Sequence, residues 1–539
     1  MRKNFYLCAL YNERMSMNKK NNGSTGHLMP AVQTTPQITL PADFAAYTQQ
    51  LMGDARYKRF TTALAEEPPV SIRINGSKCT AVPPGATAVP WCDGGYYLTD
   101  RPGFTFDPLL HAGHYYVQEA SSMFVTRVLS QYVNRRVMML DMCAAPGGKS
   151  TAALGVLPPG STLMTNEPMR QRAQILAENI QKWGCPNVIV TNNYPADYVR
   201  SGITFDVILC DVPCSGEGMF RKDAGAIGEW STQNVADCSS LQRNIVADAW
   251  QCLRPGGLLI YSTCTFNAHE NEENIAWICR ELGAGLLPVD IASNWGIQGP
   301  LTDDVAADAP VYRFIPGYTQ GEGLFCAALR KPTDDDVSDT DDNSIYFSYD
   351  NTASTDIADS SKDNAKKRKK DRKNSKDKHN ERQASGKAGT DTDAIKAFTK
   401  ALPDDYVICR NADTIMAMPP LLAQLYDVAT RSLRILSAGV TVGTAKGHDI
   451  IPHQALAMST VLRREAFPTA ELTYAEAIAY LRKEAVSMPE GTPRGFVLVC
   501  FRGTPLGFVK NIGTRANNLY PPEWRIKSTH VPDEPHIIE

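Results

Sequence analysis

Apolar and polar positions in the first quarter of the chain predict a small segment of mixed α/β structure. Between residues 42 and 64 the apolar side chains recur at helical spacing, at Phe44, Tyr47, Leu51 and Met52. Residues 70–75 alternate between apolar and polar side chains, which is typical of a strand with one buried face. The segment that follows, residues 96–120, is rich in aromatic residues and interrupted by glycine.

A regular alternation of short apolar runs and helical patterns begins near residue 120. The runs predict five strands, at residues 137–140, 162–166, 188–190, 205–210 and 258–261, with helices from about residue 150 and over residues 170–183. The turn sequence Arg-Pro-Gly-Gly precedes the last strand. Strands that alternate with helices indicate a doubly wound, mostly parallel sheet. We therefore predict a Rossmann-like α/β core, with its ligand outside the carboxyl ends of the strands.

Charge is segregated in a way that the formal net charge of −3 conceals. Residues 334–363 hold ten Asp and one Lys, whereas residues 366–382 hold ten Lys or Arg and three acidic residues. Few residues in this stretch are apolar and no periodicity is visible, which is typical of a solvated linker. The acidic excess therefore belongs to the linker and does not exclude a nucleic-acid partner for the folded parts.

Length and composition divide the chain into five predicted parts. The 539 residues correspond to three or four domains at ordinary domain size. We predict a disordered extension, an N-terminal segment, a Rossmann-like domain, a disordered charged linker and a C-terminal region, at residues 1–36, 37–119, 120–330, 331–392 and 393–539.

The composition is that of an ordinary globular protein, with 43% hydrophobic and 21% charged residues. It excludes a collagen, a wholly disordered chain and a pure coiled coil. The 14 cysteines include no Cys-x-x-Cys pair, and no stretch approaches 18 consecutive apolar residues. We expect reduced thiols in a cytoplasmic protein that is a monomer, without a structural metal ion or a membrane segment.

The segment that follows the first core strand has the composition of a nucleotide-type binding turn. Residues 141–150 are Asp-Met-Cys-Ala-Ala-Pro-Gly-Gly-Lys-Ser, and small residues before a helix let a ligand approach the backbone N–H groups. The Gly-Gly-Lys-Ser end leaves an ATP-binding phosphate loop open as an alternative. However, Cys143 stands where that loop requires glycine, and Pro146 removes a donor. Glu167, at the end of the second strand, either accepts hydrogen bonds from ribose hydroxyls or caps the helix that follows.

Two cysteines follow the fourth and fifth strands, at the same predicted edge as the binding turn. Cys214 lies in Asp-Val-Pro-Cys-Ser-Gly-Glu-Gly, which begins at Asp211, and Cys264 lies in Ser-Thr-Cys-Thr. Cysteine is also a common small core residue. Two cysteines at one edge of the sheet, each beside turn and hydroxyl residues, favour a chemical role.

These motifs resemble those of the Sun-type RNA cytosine-C5 methyltransferases, and most closely the bacterial small-subunit ribosomal RNA methyltransferase F branch. The similarity spans residues 40–330 and 394–529, and includes the motifs Tyr-Val-Gln-Glu-Ala-Ser-Ser-Met at residues 116–123 and Gly-Phe-Val-Lys at residues 507–510. It implies an S-adenosylmethionine-dependent enzyme that forms 5-methylcytosine in RNA, with ribosomal RNA as the expected substrate and transfer RNA as an alternative. A non-catalytic RNA-binding assembly factor with the same fold is a further alternative.

The resemblance also implies roles for individual residues. Cys264 is the expected nucleophile toward carbon 6 of cytosine, Cys214 assists release of the methylated base, and Asp211 binds the cytosine N3/N4 edge. We further expect Lys149 to favour the thiolate. The expected contacts of the cofactor are Cys143, Ala144, Ala145, Pro146, Gly147, Gly148, Lys149, Glu167, Asn193 and Asp211. Asn193 stands close to where the family usually has an acidic residue, and an adjacent residue is the alternative for this contact.

The C-terminal region is expected to bind RNA. Residues 494–530 hold six Lys or Arg and one acidic residue, interleaved with Phe501, Phe508, Tyr520 and Trp524. Basic side chains can contact phosphates while aromatic rings stack on bases, although the same aromatic residues can also form a small core. The resemblance implies a PUA-like module here. The N-terminal segment at residues 37–119 is also expected to bind RNA, through Arg73. The expected RNA contacts of the C-terminal region are Lys510, Arg515, Trp524 and Arg525.

Overall fold

The computed structural model describes residues 39–333, 401–446, 449–528, 531–532 and 537–538. The predicted extension at residues 1–36 and almost all of the predicted linker at residues 331–392 lie outside these ranges. No helix in the described part of the chain is long and apolar enough to cross a membrane.

The N-terminal segment contains three helices and an antiparallel sheet. The sequence pattern predicts helical structure throughout residues 42–64, but Gly53, at a φ of 74°, divides it into two helices. The sheet has the order β2-β3-β1-β4. The elements are α1 Ala42–Met52, α2 Asp54–Leu64, β1 Val70–Ile74, β2 Thr87–Ala88, β3 Gly95–Leu98, α3 Pro108–His111 and β4 Tyr115–Val117.

The predicted Rossmann-like core is confirmed by the central sheet and the helices around it. Its strands are β5 Met138–Asp141, β6 Thr162–Asn166, β7 Val188–Thr191, β8 Phe205–Asp211, β9 Leu253–Thr263, β10 Gly285–Leu287, β11 Val311–Phe314 and β12 Leu324–Arg330. Its helices are α4 Val125–Tyr132, α5 Gly148–Val156, α6 Arg170–Trp183, α7 Pro195–Ser201, α8 Ala224–Glu229, α9 Thr232–Cys252 and α10 Glu272–Leu282.

The topology of this sheet places its ligand edge beside β5. Strands β9, β8, β5, β6 and β7 are neighbours in that order and run parallel, and β12 pairs antiparallel with β9. From β5 the chain moves outward to β6 and β7 and then returns to β8 on the other side. The carboxyl end of β5 is therefore the switch point at which ligands bind in open α/β sheets.

The turn predicted before the fifth strand is a local irregularity within β9. Phe205 pairs with Leu253, whereas Val207, two residues later, pairs with Leu258. Residues 254–257 therefore stand opposite the single residue Asp206, and Gly256 adopts a φ of 71° there.

The C-terminal region contains two further sheets and adds one strand to the central sheet. Its elements are β13 Val407–Asn411, β14 Thr414–Met418, α11 Pro420–Ala429, β15 Ile435–Ala438, β16 Val440–Lys446, β17 Asp449–Pro452, α12 Gln454–Met458, β18 Thr469–Glu471, α13 Tyr474–Leu481, β19 Gly495–Phe501, β20 Thr504–Asn511 and β21 Ala516–Asn518. Strand β15 pairs antiparallel with β7. The central sheet therefore extends beyond the predicted 120–330 range.

The core of the C-terminal region is shared with the N-terminal segment. Ile72, Leu109 and Tyr115 belong to the same buried cluster as Leu456 and Phe508. The predicted boundary at residue 393 therefore does not separate two independent hydrophobic cores.

Candidate active site

The turn after β5 is held in place by three hydrogen bonds to neighbouring elements. The Ala144 N–H donates to the Asn166 carbonyl at the end of β6, at 2.8 Å. Arg172 donates to the Ala145 carbonyl at 2.9 Å, and Asn179 donates to the Pro146 carbonyl at 2.8 Å. These contacts from β6 and α6 fix the path of the turn. The first N–H groups of α5, which follows the turn, have no partners inside the helix.

Asp141, at the end of β5, is completely buried beneath this turn. The Ser150 hydroxyl donates to its Oδ2 at 2.6 Å, while Oδ1 has no hydrogen bond of ordinary geometry. Burial raises the pKa of Asp141 to about 7, against the opposing effects of the Ser150 hydroxyl and the Cys143 N–H.

Glu167 is positioned by the helix that follows it. Its Oε1 accepts the Met169 N–H at 2.9 Å, and its Oε2 lies 3.1 Å from Arg172. Burial raises the pKa of Glu167, and the Arg172 guanidinium opposes this shift. The capping role expected as an alternative is therefore present. Each carboxylate oxygen can accept a second hydrogen bond, so a ribose contact also remains chemically available.

Asn193 is engaged with the C-terminal region. Its Oδ1 accepts the Arg434 N–H at 2.9 Å, and its Nδ2 donates to the Arg434 carbonyl at 3.1 Å. The Asn192 N–H also donates to the Arg434 carbonyl. A cofactor would have to share the Asn193 side-chain amide with the Arg434 backbone. No local sequence pattern indicates this contact between Asn193 and Arg434.

Lys149 and Asp211 form an ion pair across the binding edge, with Nζ and Oδ2 2.9 Å apart. The Ser262 hydroxyl donates to the other carboxylate oxygen at 2.8 Å. Burial lowers the pKa of Lys149, but the Asp211 carboxylate outweighs this effect, so the pKa is raised overall. The pair fixes the carboxylate at the carboxyl ends of β8 and β9, while 30% of the Asp211 side chain remains exposed.

The two predicted cysteines meet at this edge. The Sγ atoms of Cys214 and Cys264 are 3.1 Å apart, and neither cysteine is in a disulfide. Their loops are also joined directly, because the Gly218 N–H donates to the Cys264 carbonyl at 2.7 Å. A Cβ atom on Gly218 would lie 2.5 Å from that carbonyl oxygen, so only glycine allows this approach.

Several buried polar residues behind the cysteines were missed by the sequence analysis. Glu217 accepts the N–H groups of Phe266 and Asn267, and Glu270 and Asn271 are 0% exposed. The sequence does contain a signal, because residues 267–274 are Asn-Ala-His-Glu-Asn-Glu-Glu-Asn, directly after the Cys264 motif. A polar run of this density that is buried needs internal hydrogen-bond partners.

Arg73 does not lie where RNA could reach it, so that predicted contact is corrected. Its side chain is buried and donates to Gln118, Thr151 and the Gly148 carbonyl. The guanidinium also lies 4.5 Å from the ring centre of Trp183. Burial lowers the pKa of Arg73 to about 10. This side chain joins β1 to the helices after β5 and β6.

Trp524 is likewise a core residue and not an exposed stacking platform. It is 9% exposed and packs edge-on against Tyr520, and Phe501 and Phe508 are buried in the same cluster. The expected small aromatic core is therefore present, and the expected base-stacking role of Trp524 is corrected.

The three other predicted RNA contacts are accessible cations of the C-terminal region. Arg515 and Arg525 are exposed. Lys510 is partly exposed and lies 3.5 Å from Asp449. Within the described residues, no group of three or more potential metal ligands is found.

The fold and the edge that carries the binding turn and cysteine pair are those of a Rossmann-like methyltransferase. A family model for 16S rRNA methyltransferase RsmB/F matches residues 129–330, and one for the N-terminal domain of 16S rRNA methyltransferase RsmF matches residues 40–120. A model for the RsmF PUA domain matches residues 467–526. The three models describe parts of one group of 16S rRNA methyltransferases, and the last of them places a PUA domain in the C-terminal region.

Relatives named ribosomal RNA small subunit methyltransferase F resemble the chain over different lengths. The relative from Aeromonas salmonicida is 35% identical over 45% of this chain, and the matching part spans about half of that relative, 52%. The relative from Klebsiella pneumoniae is 28% identical over 81% of this chain and 84% of its own length. A solved structure, a methyltransferase homolog protein from Pyrococcus horikoshii, is 27% identical with a TM-score of 0.46, covering 53% of this chain and 94% of that chain.

Proposed function

We propose that the protein transfers a methyl group from S-adenosylmethionine to carbon 5 of a cytosine in RNA, through a covalent cysteine–cytosine adduct. The observation that carries the proposal is the 3.1 Å separation of the Cys214 and Cys264 sulfur atoms beside the Lys149–Asp211 pair. One reactive thiol is enough for many covalent reactions. Two at one ligand edge support a reaction in which one thiol adds to the substrate and the other assists release.

The chemistry of cytosine explains the need for both thiols. Carbon 5 is a poor nucleophile, and addition of the Cys264 thiolate to carbon 6 makes carbon 5 enamine-like. Asp211 would hold the N3/N4 edge of the base, and its fixed orientation toward Lys149 and Ser262 supports that role. After methylation the proton on carbon 5 must leave before the bond from Cys264 to carbon 6 breaks. Cys214 would accept this proton.

The residues around the binding turn fit S-adenosylmethionine. The first N–H groups of α5 can donate to the carboxylate of its amino-acid part, and Glu167 can accept from its ribose hydroxyls. Asp141 Oδ1 is a buried acceptor without a hydrogen bond of ordinary geometry. When bound, the cofactor supplies an electrophilic methyl group on a sulfonium. We propose residues 143–149, Glu167 and Asp211 as its contacts. Asn193 is a further proposed contact, through the side-chain amide that also bonds the Arg434 backbone.

The proposed substrate is small-subunit ribosomal RNA, which is the substrate named for the relatives. A base inside a duplex cannot reach the cysteine pair, so the target cytosine must be single-stranded or flipped out. The PUA domain, with Lys510, Arg515 and Arg525, supports an RNA partner. Action as a monomer in the cytoplasm remains a prediction.

A substitution of each cysteine tests the proposal. With unmodified small-subunit RNA and tritiated S-adenosylmethionine, Cys264→Ala should abolish methyl transfer. Cys214→Ala should instead accumulate a covalent protein–RNA species that migrates slowly in a denaturing gel, because addition proceeds and release does not.

Cys252 provides a matched control, because it is a buried cysteine at the end of α9 and its charged neighbours are Asp248 and Lys331, not the Lys149–Asp211 pair. Cys252→Ala should keep methyl transfer and form no persistent adduct. Substantial turnover by Cys264→Ala would exclude it as the nucleophile. A Cys214→Ala protein without any adduct would exclude the assigned release role.

A further inference from the structure

Two adjacent side chains, Glu270 and Asn271, lie at the end of the loop that carries Cys264 and contact the residues next to both cysteines. The Cys214 loop is residues 212–216, and the Cys264 loop is residues 264–271. Both side chains are 0% exposed, so neither can contact RNA or cofactor. Their polar atoms must instead serve the protein itself.

Asn271 holds the backbone and side chain on either side of Cys264. Its Oδ1 accepts the Thr263 hydroxyl at 2.6 Å, and its Nδ2 donates to the Thr265 carbonyl at 3.0 Å. The residue before Cys264 and the residue after it are therefore tied to one amide group. Rotation of that amide is opposed at both of its ends.

Glu270 does the same for Cys214, together with Gln242 of α9. Its Oε2 accepts the Ser215 N–H at 3.0 Å. Gln242 Nε2 donates both to the same Oε2, at 2.6 Å, and to the Pro213 carbonyl, at 2.9 Å. The two neighbours of Cys214 are therefore tied to one carboxylate–amide pair.

Glu270 is itself anchored to the framework of the sheet. The Tyr261 hydroxyl on β9 donates to the Glu270 carbonyl at 2.6 Å, and Asn267 Nδ2 donates to Oε1 at 2.8 Å. The carboxylate therefore accepts from three different residues and donates to none. A neutral amide of the same shape would place a donor against at least one of them.

We propose that Glu270 and Asn271 are positioning residues that set the separation of the Cys214 and Cys264 sulfur atoms by fixing both loops from within one dipeptide. This inference rests on the proposed function for its consequence in catalysis, because addition and release need both thiols at one base. The claim that the two residues fix the positions of the sulfur atoms rests only on the hydrogen bonds described above. Misplacement of reacting groups by about 1 Å can cost about a hundredfold in rate.

Cross-linking by diamide measures the sulfur separation without any enzyme activity. Diamide takes up the two thiol hydrogens and is reduced to a hydrazine while the disulfide forms. The reduced full-length protein is treated with diamide, and the Cys214–Cys264 peptide pair is quantified by mass spectrometry over time. Glu270→Gln and Asn271→Asp should each slow this cross-link by about tenfold or more.

Asp107→Asn is the matched control. Asp107 is a buried carboxylate that accepts from Leu109, Tyr115 and Ile538 in another part of the chain. Its variant should cross-link at the wild-type rate. Wild-type cross-linking rates in both test variants would overturn the proposal. If either test variant does not fold, Gln242→Glu replaces it, because it removes the donor shared by Pro213 and Glu270.

A single-turnover methylation assay then separates positioning from loss of fold. In the folded variants the rate of methyl transfer per active site should fall while the KM for RNA stays unchanged, and the adduct should persist longer in Glu270→Gln. Slower cross-linking in the variants, in a protein whose wild type methylates no cytosine, would sustain the positioning and refute the proposed function. Wild-type cross-linking rates in variants of an enzyme that does methylate cytosine would refute the positioning role and leave the proposed function standing.

Discussion

The Lys149 ammonium lies 2.9 Å from one oxygen of the Asp211 carboxylate, while the Ser262 hydroxyl donates to the other. Both carboxylate oxygens are therefore oriented before any base arrives. A group that is oriented in advance pays no reorganisation cost during the reaction.

Removal of the Lys149 charge should impair catalysis more than binding. In Lys149→Met the Asp211 carboxylate loses its cationic partner and its fixed orientation, so we expect methyl transfer to fall by about a hundredfold. The rate is measured in single turnover with saturating RNA and cofactor, and calorimetry measures the affinity for the cofactor. Lys149→Arg, which retains the charge, should recover part of the rate. A Lys149→Met enzyme with wild-type turnover would contradict the role of the pair.

Asn193 should matter for stability through its contact with Arg434. Asn193→Ala removes one partner from each polar group of the Arg434 backbone, which is partly buried, and each lost hydrogen bond costs about 0.5–1.5 kcal/mol. Urea unfolding of the full-length protein measures this loss. Tyr194→Ala is the neighbouring control, because Tyr194 is 62% exposed and its removal should change stability by less than about 0.5 kcal/mol. Equal stability of Asn193→Ala and the wild type would show that the contact contributes little.

Ionisation of Asp141 should lower stability as the pH rises. Burial raises its pKa in the folded protein to about 7, above the usual value of 3.8. The native state therefore favours the protonated form, and this contribution is full below pH 3.8 and is lost as the pH rises through 7. Asp141→Asn cannot ionise. Its stability relative to the wild type should therefore increase by a few kcal/mol between about pH 4 and pH 8.

Urea unfolding of both proteins at several pH values checks this difference, in which the titration of all other groups cancels. A constant difference across the range would show that Asp141 does not titrate there. An opposite slope would show that the folded state favours the carboxylate.

The exposed cations of the PUA region should contribute electrostatically to RNA binding. Substitution of Lys510, Arg515 and Arg525 by Gln should weaken binding and reduce the dependence of log K on log salt by about 0.7–0.9 for each phosphate that the protein no longer neutralises. A salt titration of RNA affinity measures this slope. Arg280→Gln, on the exposed face of α10, should leave it unchanged. An unaltered slope in the triple variant would place the RNA elsewhere.

Point variants are preferable here to a truncation. Removal of residues 394–539 would also remove β15 from the central sheet and Arg434 from Asn193. Loss of RNA binding by such a fragment would therefore not distinguish a missing interface from a damaged methyltransferase fold.

The elements and the ligand edge of the core could be predicted because their determinants are local. Strand β6 at Thr162–Asn166 and helix α6 at Arg170–Trp183 have the predicted bounds, since apolar runs and helical periodicity act over a few residues. The parallel topology then brings the ends of β5, β8 and β9 to one edge. For the same reason, the sequence could place Asp211, Cys214 and Cys264 together.

The remaining features depend on contacts between distant parts of the chain. Arg73 occupies a polar position of an alternating strand, which predicts exposure, but helices α5 and α6 cover that face. Asn193 and Arg434 are 241 residues apart in sequence. The hydrogen bonds of Glu270 and Asn271 join three elements, and the polar run that contains them indicates burial only once the fold is known.

The pairing of β15 with β7 also has a consequence for biosynthesis. Residues 435–438 leave the ribosome more than a hundred residues after β12, so the unpaired edge of β7 is exposed while the intervening chain is made. An exposed edge strand invites pairing with other chains, and domains otherwise fold as they emerge. The nascent chain therefore acquires the last strand of its central sheet, and the partner of Asn193, only after the charged segment has been translated. The high charge of that segment would keep the partly synthesised chain, which still lacks β15, from aggregating.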